Sequence, residues 1–161
     1  MMRLLRSMYH YTECGLNNVW LKNGYTEHQT PYGCGVAVSD ADQLHEVLAL
    51  AIAKRAGRIT GQELRYLRSM LDLSQGALGA TLGVKDQSIS LWERKDSITT
   101  AAEAVVRMLV VEKLDTNPRI ADLLDRIAKL DAAGHFVAKE SRSGVWSTTV
   151  SNAPTGSPAC A

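Results

Sequence analysis

Between Ser74 and Lys95 the chain has few ways to fold. Ser74 precedes a short run, Gln75 to Leu82, which is closed by Gly83 and followed by a second short run up to Lys95. A serine at this place accepts a hydrogen bond from the unpaired N–H groups of a first helical turn and so starts a helix. A glycine just past such a run tolerates the left-handed conformation in which helices stop. The second helix starts almost at once, so the expectation is two short helices joined by a glycine turn, a helix-turn-helix. Leu78, Leu82, Val84 and Ile89 fall where the two helices face each other. Lys85, Asp86, Gln87, Ser88, Ser90 and Leu91 are left to face outward.

The major groove of B-DNA is about 12 Å wide and admits one helix, whose first side chains reach base edges. Gln87 is the best base reader of the set, because a glutamine amide pairs bidentately with adenine. Lys85 suits guanine or a phosphate, Asp86 the amino group of cytosine, and Leu91 a thymine methyl. Ser88 and Ser90 are further contact candidates. Gln75, at the head of the first helix, and Arg94 and Lys95, just after the second, are expected on phosphates. Trp92 is expected in the core and Arg65 at the surface.

The flanks can be read more coarsely. Thr60 and Glu63 form a capping box ahead of a helix with the stripe Leu64, Leu67 and Leu71. Residues 100–114 read as another helix. Pro118 suits the first turn of a last one, with the stripe Ile120, Leu123, Leu124, Ile127 and Leu130, ended by Gly134. That stripe offers a dimerisation surface. Towards the N-terminus, Val19 to Leu21, the turn signal Asn23-Gly24, Tyr25 to Thr30 and Val36 to Val38 read as a small β-hairpin unit. Ser39 and Asp42 resemble a capping box for a helix at about 40–56, with Leu44, Val47, Leu48, Ala51 and Ile52 on its inner side. Residues 139–161 are rich in Ser, Thr, Gly, Pro and Ala and read as a flexible tail, although Val145 to Val150 could pair as a strand. The resulting expectation is a mainly α chain in three parts: an α+β accessory module at 1–57, a five-helix domain at 58–134, and a tail at 135–161.

Composition excludes more than it suggests. Eighteen Lys and Arg against seventeen Asp and Glu leave a net charge of +1. Residues 58–96 hold six cations and five anions, so any binding of nucleic acid rests on local placement of charge. The longest apolar run, Val47 to Ala53, is far short of the roughly 20 residues of a membrane span, and the expected setting is cytoplasmic, with the nucleoid. Three cysteines, Cys14, Cys34 and Cys160, with no CxxC, argue against a disulfide framework and against structural zinc. A metal cluster of Cys14 and Cys34 with His10 and His28 is the weaker reading. No catalytic motif is present, the histidines at 10, 28, 45 and 135 are scattered, and neither an enzyme nor a cofactor is expected.

The residues Leu71, Leu73-Ser74-Gln75, Leu78, Leu82-Gly83-Val84, Ser88-Ile89 and Trp92-Glu93 resemble the Xre family of phage-repressor-like DNA-binding domains, over about residues 60–114. The resemblance implies an Xre-type helix-turn-helix fold and a homodimeric repressor that reads an inverted repeat of double-stranded DNA. It also implies an ion pair between Arg68 and Glu93 that ties the preceding helix to the end of the recognition helix. With Cys14 to Leu21 ahead of it, the chain is also similar to MqsA-type (YgiT-type) antitoxins. Those carry two zinc-binding CxxC pairs, which this chain lacks. That likeness implies an alternative, an antitoxin that represses its own operon and binds a toxin through the N-terminal module. A protein-interaction module that has lost DNA binding is a further alternative.

Overall fold

The computed structural model describes residues 8–115, 134–151 and 156–157. The chain divides into two compact units, one of Met1–Leu48 with Gly134–Ala161 and one of Ala49–Ala133.

In the first unit a five-stranded sheet runs in the order β6-β5-β2-β1-β7. Its strands are β1 (Met8–His10), β2 (Val19–Leu21), β5 (His135–Glu140), β6 (Trp146–Ser151) and β7 (Gly156–Ser157). β1 pairs antiparallel with β2 and β5 with β6, whereas β2–β5 and β1–β7 are parallel. Strand side chains alternate between faces. Tyr9, Val19, Leu21, Phe136, Ala138 and Trp146 are accordingly buried on one face, and Leu44 and Leu48 of α1 (Ala41–Lys54) are buried with them. The start of α1 is bonded to this layer: Trp146 donates its amide to Gln43 Oε1 and its indole N–H to the Ser39 carbonyl, both at 2.9 Å. Tyr11 Oη and His45 Nε2 share a hydrogen bond of 2.9 Å.

Five expectations need correction here. The chain is not mainly α: among the described residues five helices, α1 to α5, stand beside seven strands in two sheets. Nor is the described stretch 135–151 a flexible tail. Phe136 and Ala138 alternate into the core, and Gly144 turns the chain at φ 79° into β6. Its Ser and Thr residues are largely the solvent side of a strand, which composition alone reads as disorder. Asn23-Gly24 does not make a hairpin of β2 with the next strand. Gly24 has φ 77°, but the Asn23 side chain accepts from the Glu140 amide at 2.8 Å and donates to the Glu140 carbonyl at 2.9 Å, prolonging the β2–β5 ladder. The chain then leaves this sheet, and β3 (Tyr25–Thr30) pairs with β4 (Gly33–Val38) in a separate ribbon, with Tyr32 fully exposed in its turn. Next, α1 is capped not by Ser39 with Asp42 but by Asp40, at φ 42°, whose Oδ1 accepts from Gln43 N at 3.2 Å. Cys14 is a free thiol, while Cys34 is disulfide-bonded, against the expectation from cysteine count.

Among its described residues the second unit holds the end of α1 and four further helices, α2 (Gly61–Met70), α3 (Gln75–Leu82), α4 (Asp86–Lys95) and α5 (Thr100–Leu114). Thr60 and Glu63 form the capping box of α2, and Thr99 caps α5 by accepting from Ala102 N at 3.3 Å. Ile52, Leu64, Leu67, Leu78, Ile89, Val106 and Val110 are fully buried. The expected dimerisation stripe from Ile120 to Leu130 lies outside the described residues.

Candidate nucleic-acid interface

The interface is built around the turn from α3 to α4. Ser74 Oγ accepts from Ala77 N at 3.0 Å and starts α3, and Gly83 ends it in the left-handed conformation, φ 71°. Val84 N then donates to Gly79 O at 2.8 Å. This bond draws the chain so close to α3 that a β-carbon on Gly79 would stand 2.6 Å from the Val84 carbonyl oxygen. Gly79 thus sets the approach of the two helices, a role the sequence reading missed. Its only signal was a glycine inside a predicted helix.

α4 is fixed by two buried residues, Ile89 and Trp92. Lys85 occupies its N-cap position without a side-chain cap bond, and Asp86 Oδ1 accepts from Gln87 N at 2.9 Å. Of the expected contact residues, Lys85, Asp86, Gln87, Leu91, Arg94 and Lys95 are exposed, and Ser88 and Ser90 are half-buried. Leu91 is 40% exposed, unusual for an apolar side chain flanked by core residues. Arg65 is at the surface.

The other end of α4 is tied down by Glu93. Arg68 Nε donates to Glu93 Oε1 at 2.6 Å and Nη2 to Oε2 at 3.3 Å, a two-pronged pair, while Nη1 donates to the Leu73 carbonyl at 2.9 Å. Gln75 Nε2 joins them, donating to Glu93 Oε2 at 2.9 Å. The Gln75 amide, expected on a phosphate, is therefore engaged inside the protein. Three helices, α2, α3 and α4, meet in this one network. Side chains locked this way hold the outward face of α4 in a single orientation, which a reader of base edges requires.

Among the described residues no three His, Cys, Asp or Glu side chains converge to hold a metal ion. No helix among them is long and apolar enough to cross a membrane. No protein-family model, no protein of curated function and no solved structure matches this chain.

Proposed function

We propose that the chain is a sequence-specific binder of double-stranded DNA, a transcriptional regulator without enzymatic activity. The observation that carries this reading is the split character of α4. Its inner side, Ile89 and Trp92, is buried, and Glu93 is held by Arg68 and Gln75. Its outer side presents Lys85, Asp86, Gln87 and Leu91 from the first turns, with Arg94 and Lys95 at the end. That order, donors and acceptors for base edges first and cations for phosphates after, fits a helix entering the major groove by its N-terminal half. The Xre-like residues quoted above support the same reading and extend it to a homodimeric repressor. A dimer would read an inverted repeat with half-sites about 34 Å apart or a multiple of that.

The test is selection of bound sequences from random duplexes, followed by footprinting. The expected result is a short inverted repeat protected on one face of the duplex. Binding of all duplexes with equal affinity would reject the proposal. A single unrepeated site held by a monomer would reject the dimer but keep the sequence-specific helix.

A further inference from the structure

In the first unit the buried side of the five-stranded sheet leaves a second face. Register places its side chains in rows. His10 lies opposite Trp20, Trp20 beside Val137, and Val137 opposite Thr149. One row over, Lys22 N donates to the Ala138 carbonyl at 3.0 Å and carries the parallel ladder on by one residue. Lys22 thus stands beside Lys139, which itself faces Ser147. On the other side of the aromatic row His135 lies opposite Ser151.

These rings are already ordered. His10 stacks on Trp20 with centroids 4.2 Å apart and planes 14° from parallel. The Trp20 indole N–H donates to His135 Nδ1 at 3.2 Å, and His10 Nε2 is bonded to the Asn17 carbonyl at 2.7 Å. All three rings are half-exposed, and Lys22 and Lys139 are exposed. In these rows every ionisable side chain is a lysine or a histidine, and none is a carboxylate. Like charges side by side on neighbouring strands repel. Neither lysine has an ion pair among the described residues.

We propose that this open sheet face docks a single-stranded nucleic acid. Phosphates would sit over Lys22 and Lys139, and bases against the rings of His10, Trp20 and His135. Sheets that bind single strands combine these two parts, cations that follow the backbone and rings on which bases stack. The charge pattern selects the partner. A second copy would bring lysine against lysine. An acidic peptide would satisfy the lysines but leave the ring row unused. A duplex hides the faces of its bases. The ordered rings lose little freedom when a base arrives, which favours binding. The proposal does not depend on the duplex-reading role of α4.

The experiment is fluorescence anisotropy of the full chain with labelled twelve-nucleotide oligo-dT and oligo-U. Binding of one or both at low salt is expected. Lys22→Glu with Lys139→Glu should weaken it at least tenfold. Lys22→Gln with Lys139→Gln should reduce the slope of log affinity against log salt by about 1.4, at about 0.7 per single-strand phosphate contact. Trp20→Leu should weaken binding at least fivefold, and Trp20→Phe, which keeps a ring to stack, should restore most of it. Near-ultraviolet circular dichroism identical to wild type confirms that the lysine variants are folded. Failure of both oligonucleotides to bind would overturn the proposal. So would equal competition by poly-glutamate, or losses that follow Gln87→Ala or Arg94→Ala instead of the lysine pair. Duplex selection through α4 can succeed or fail without changing any of these readings.

Discussion

Arg107 donates to Glu103 one turn back on the same helix, Nη2 to Oε1 at 2.6 Å, and the two side chains are 0% and 3% exposed. Around this pair the guanidinium also donates to the carbonyls of Ile52 and Ala53 in the last turn of α1 and of Arg55 and Gly57 in the loop after it. Glu103 in turn accepts from the Ile59 amide at 3.0 Å. An arginine here does the work of a helix C-cap, from another helix, in the dark of the core. Burial holds its guanidinium below the usual arginine range, and Glu103 offsets this only in part. Arg107→Leu should therefore cost about 3–5 kcal/mol, because several buried carbonyls lose their donor and the buried Glu103 keeps only Arg58 and the Ile59 amide. Chemical denaturation with circular dichroism measures this, and a loss below about 1 kcal/mol would show that water replaces the guanidinium.

Arg68, Glu93 and Gln75 should behave as a unit. Arg68→Ala leaves the Glu93 carboxylate, whose side chain is 6% exposed, with only the Gln75 amide, at a cost of about 3–5 kcal/mol. Arg68→Met with Glu93→Leu recovers only part, since Gln75 then loses its acceptor, and adding Gln75→Leu should recover most of the rest. By the same geometry Gln75→Ala should lower the melting temperature and leave the salt dependence of DNA binding alone. A stable Gln75→Ala protein with uniformly weakened DNA binding would return this residue to a phosphate.

Two glycines of the α3–α4 turn separate conformational strain from steric contact. Gly83, at φ 71°, has no atom within 4 Å of a β-carbon, so Gly83→Ala pays only the left-handed backbone term, about 1–2 kcal/mol. A β-carbon on Gly79 would press on the Val84 backbone at 2.6 Å, and backbone cannot swing aside. Gly79→Ala should therefore cost more than Gly83→Ala and displace α4. Thermal melts rank the two, and the reverse order would mean that the turn opens without penalty.

What could be read from the sequence was local. The Thr60–Glu63 box, the Ser74 cap and the Gly83 stop each lie within a few residues of what they bond, and each is where its spacing put it. Val19 to Leu21 was read as a strand, but the sheet it joins was missed because its key partnership is distant: Val19 pairs with Phe136, and no neighbour of either residue signals it. The Asn23-Gly24 signal was genuine as a positive-φ site and misleading as a hairpin, because the side chain of Asn23 serves a strand that arrives more than a hundred residues later. The outward residues of α4 followed from helical period, whereas the diversion of Gln75 to Glu93 did not, since an amide beside a helix N-terminus suits a phosphate equally well.

His45 should titrate low. Burial disfavours its charged form, and nearby Asp42 offsets this only in part, so its folded value lies below the usual 6.5. Tyr11, its hydrogen-bond partner, is pushed up to about 12 by its own burial and stays protonated throughout. Because folding favours the neutral imidazole, the stability involved is complete above about pH 6.5 and is lost as pH falls toward the folded value. The His45 ring resonances, followed by nuclear magnetic resonance, should move with a midpoint below 6.5, and His45→Gln should melt with a flatter dependence on pH from 7 to 5. A midpoint at or above 6.5 would mean that Asp42 outweighs burial.

Base reading and phosphate contact on α4 should separate cleanly between Gln87 and the pair Arg94 and Lys95. Gln87 is uncharged, exposed, and in the first turn of the helix, with its backbone N–H already bonded to Asp86. Only its side-chain amide is left to discriminate, and a bidentate contact to adenine is worth about 1–3 kcal/mol against the wrong base. Gln87→Ala should therefore erase the preference at one base pair of each half-site and leave the salt slope as it was. Arg94 and Lys95 carry charge but sit at the far end of the helix, where no base edge is in reach of a groove-entering N-terminus. Arg94→Gln with Lys95→Gln should weaken all duplexes alike and lower the slope of log affinity against log salt by about 0.9 for each phosphate given up. Identical selected sequences for wild type and Gln87→Ala would show that another side chain reads that base. An unchanged salt slope in the double variant would place both cations away from the DNA.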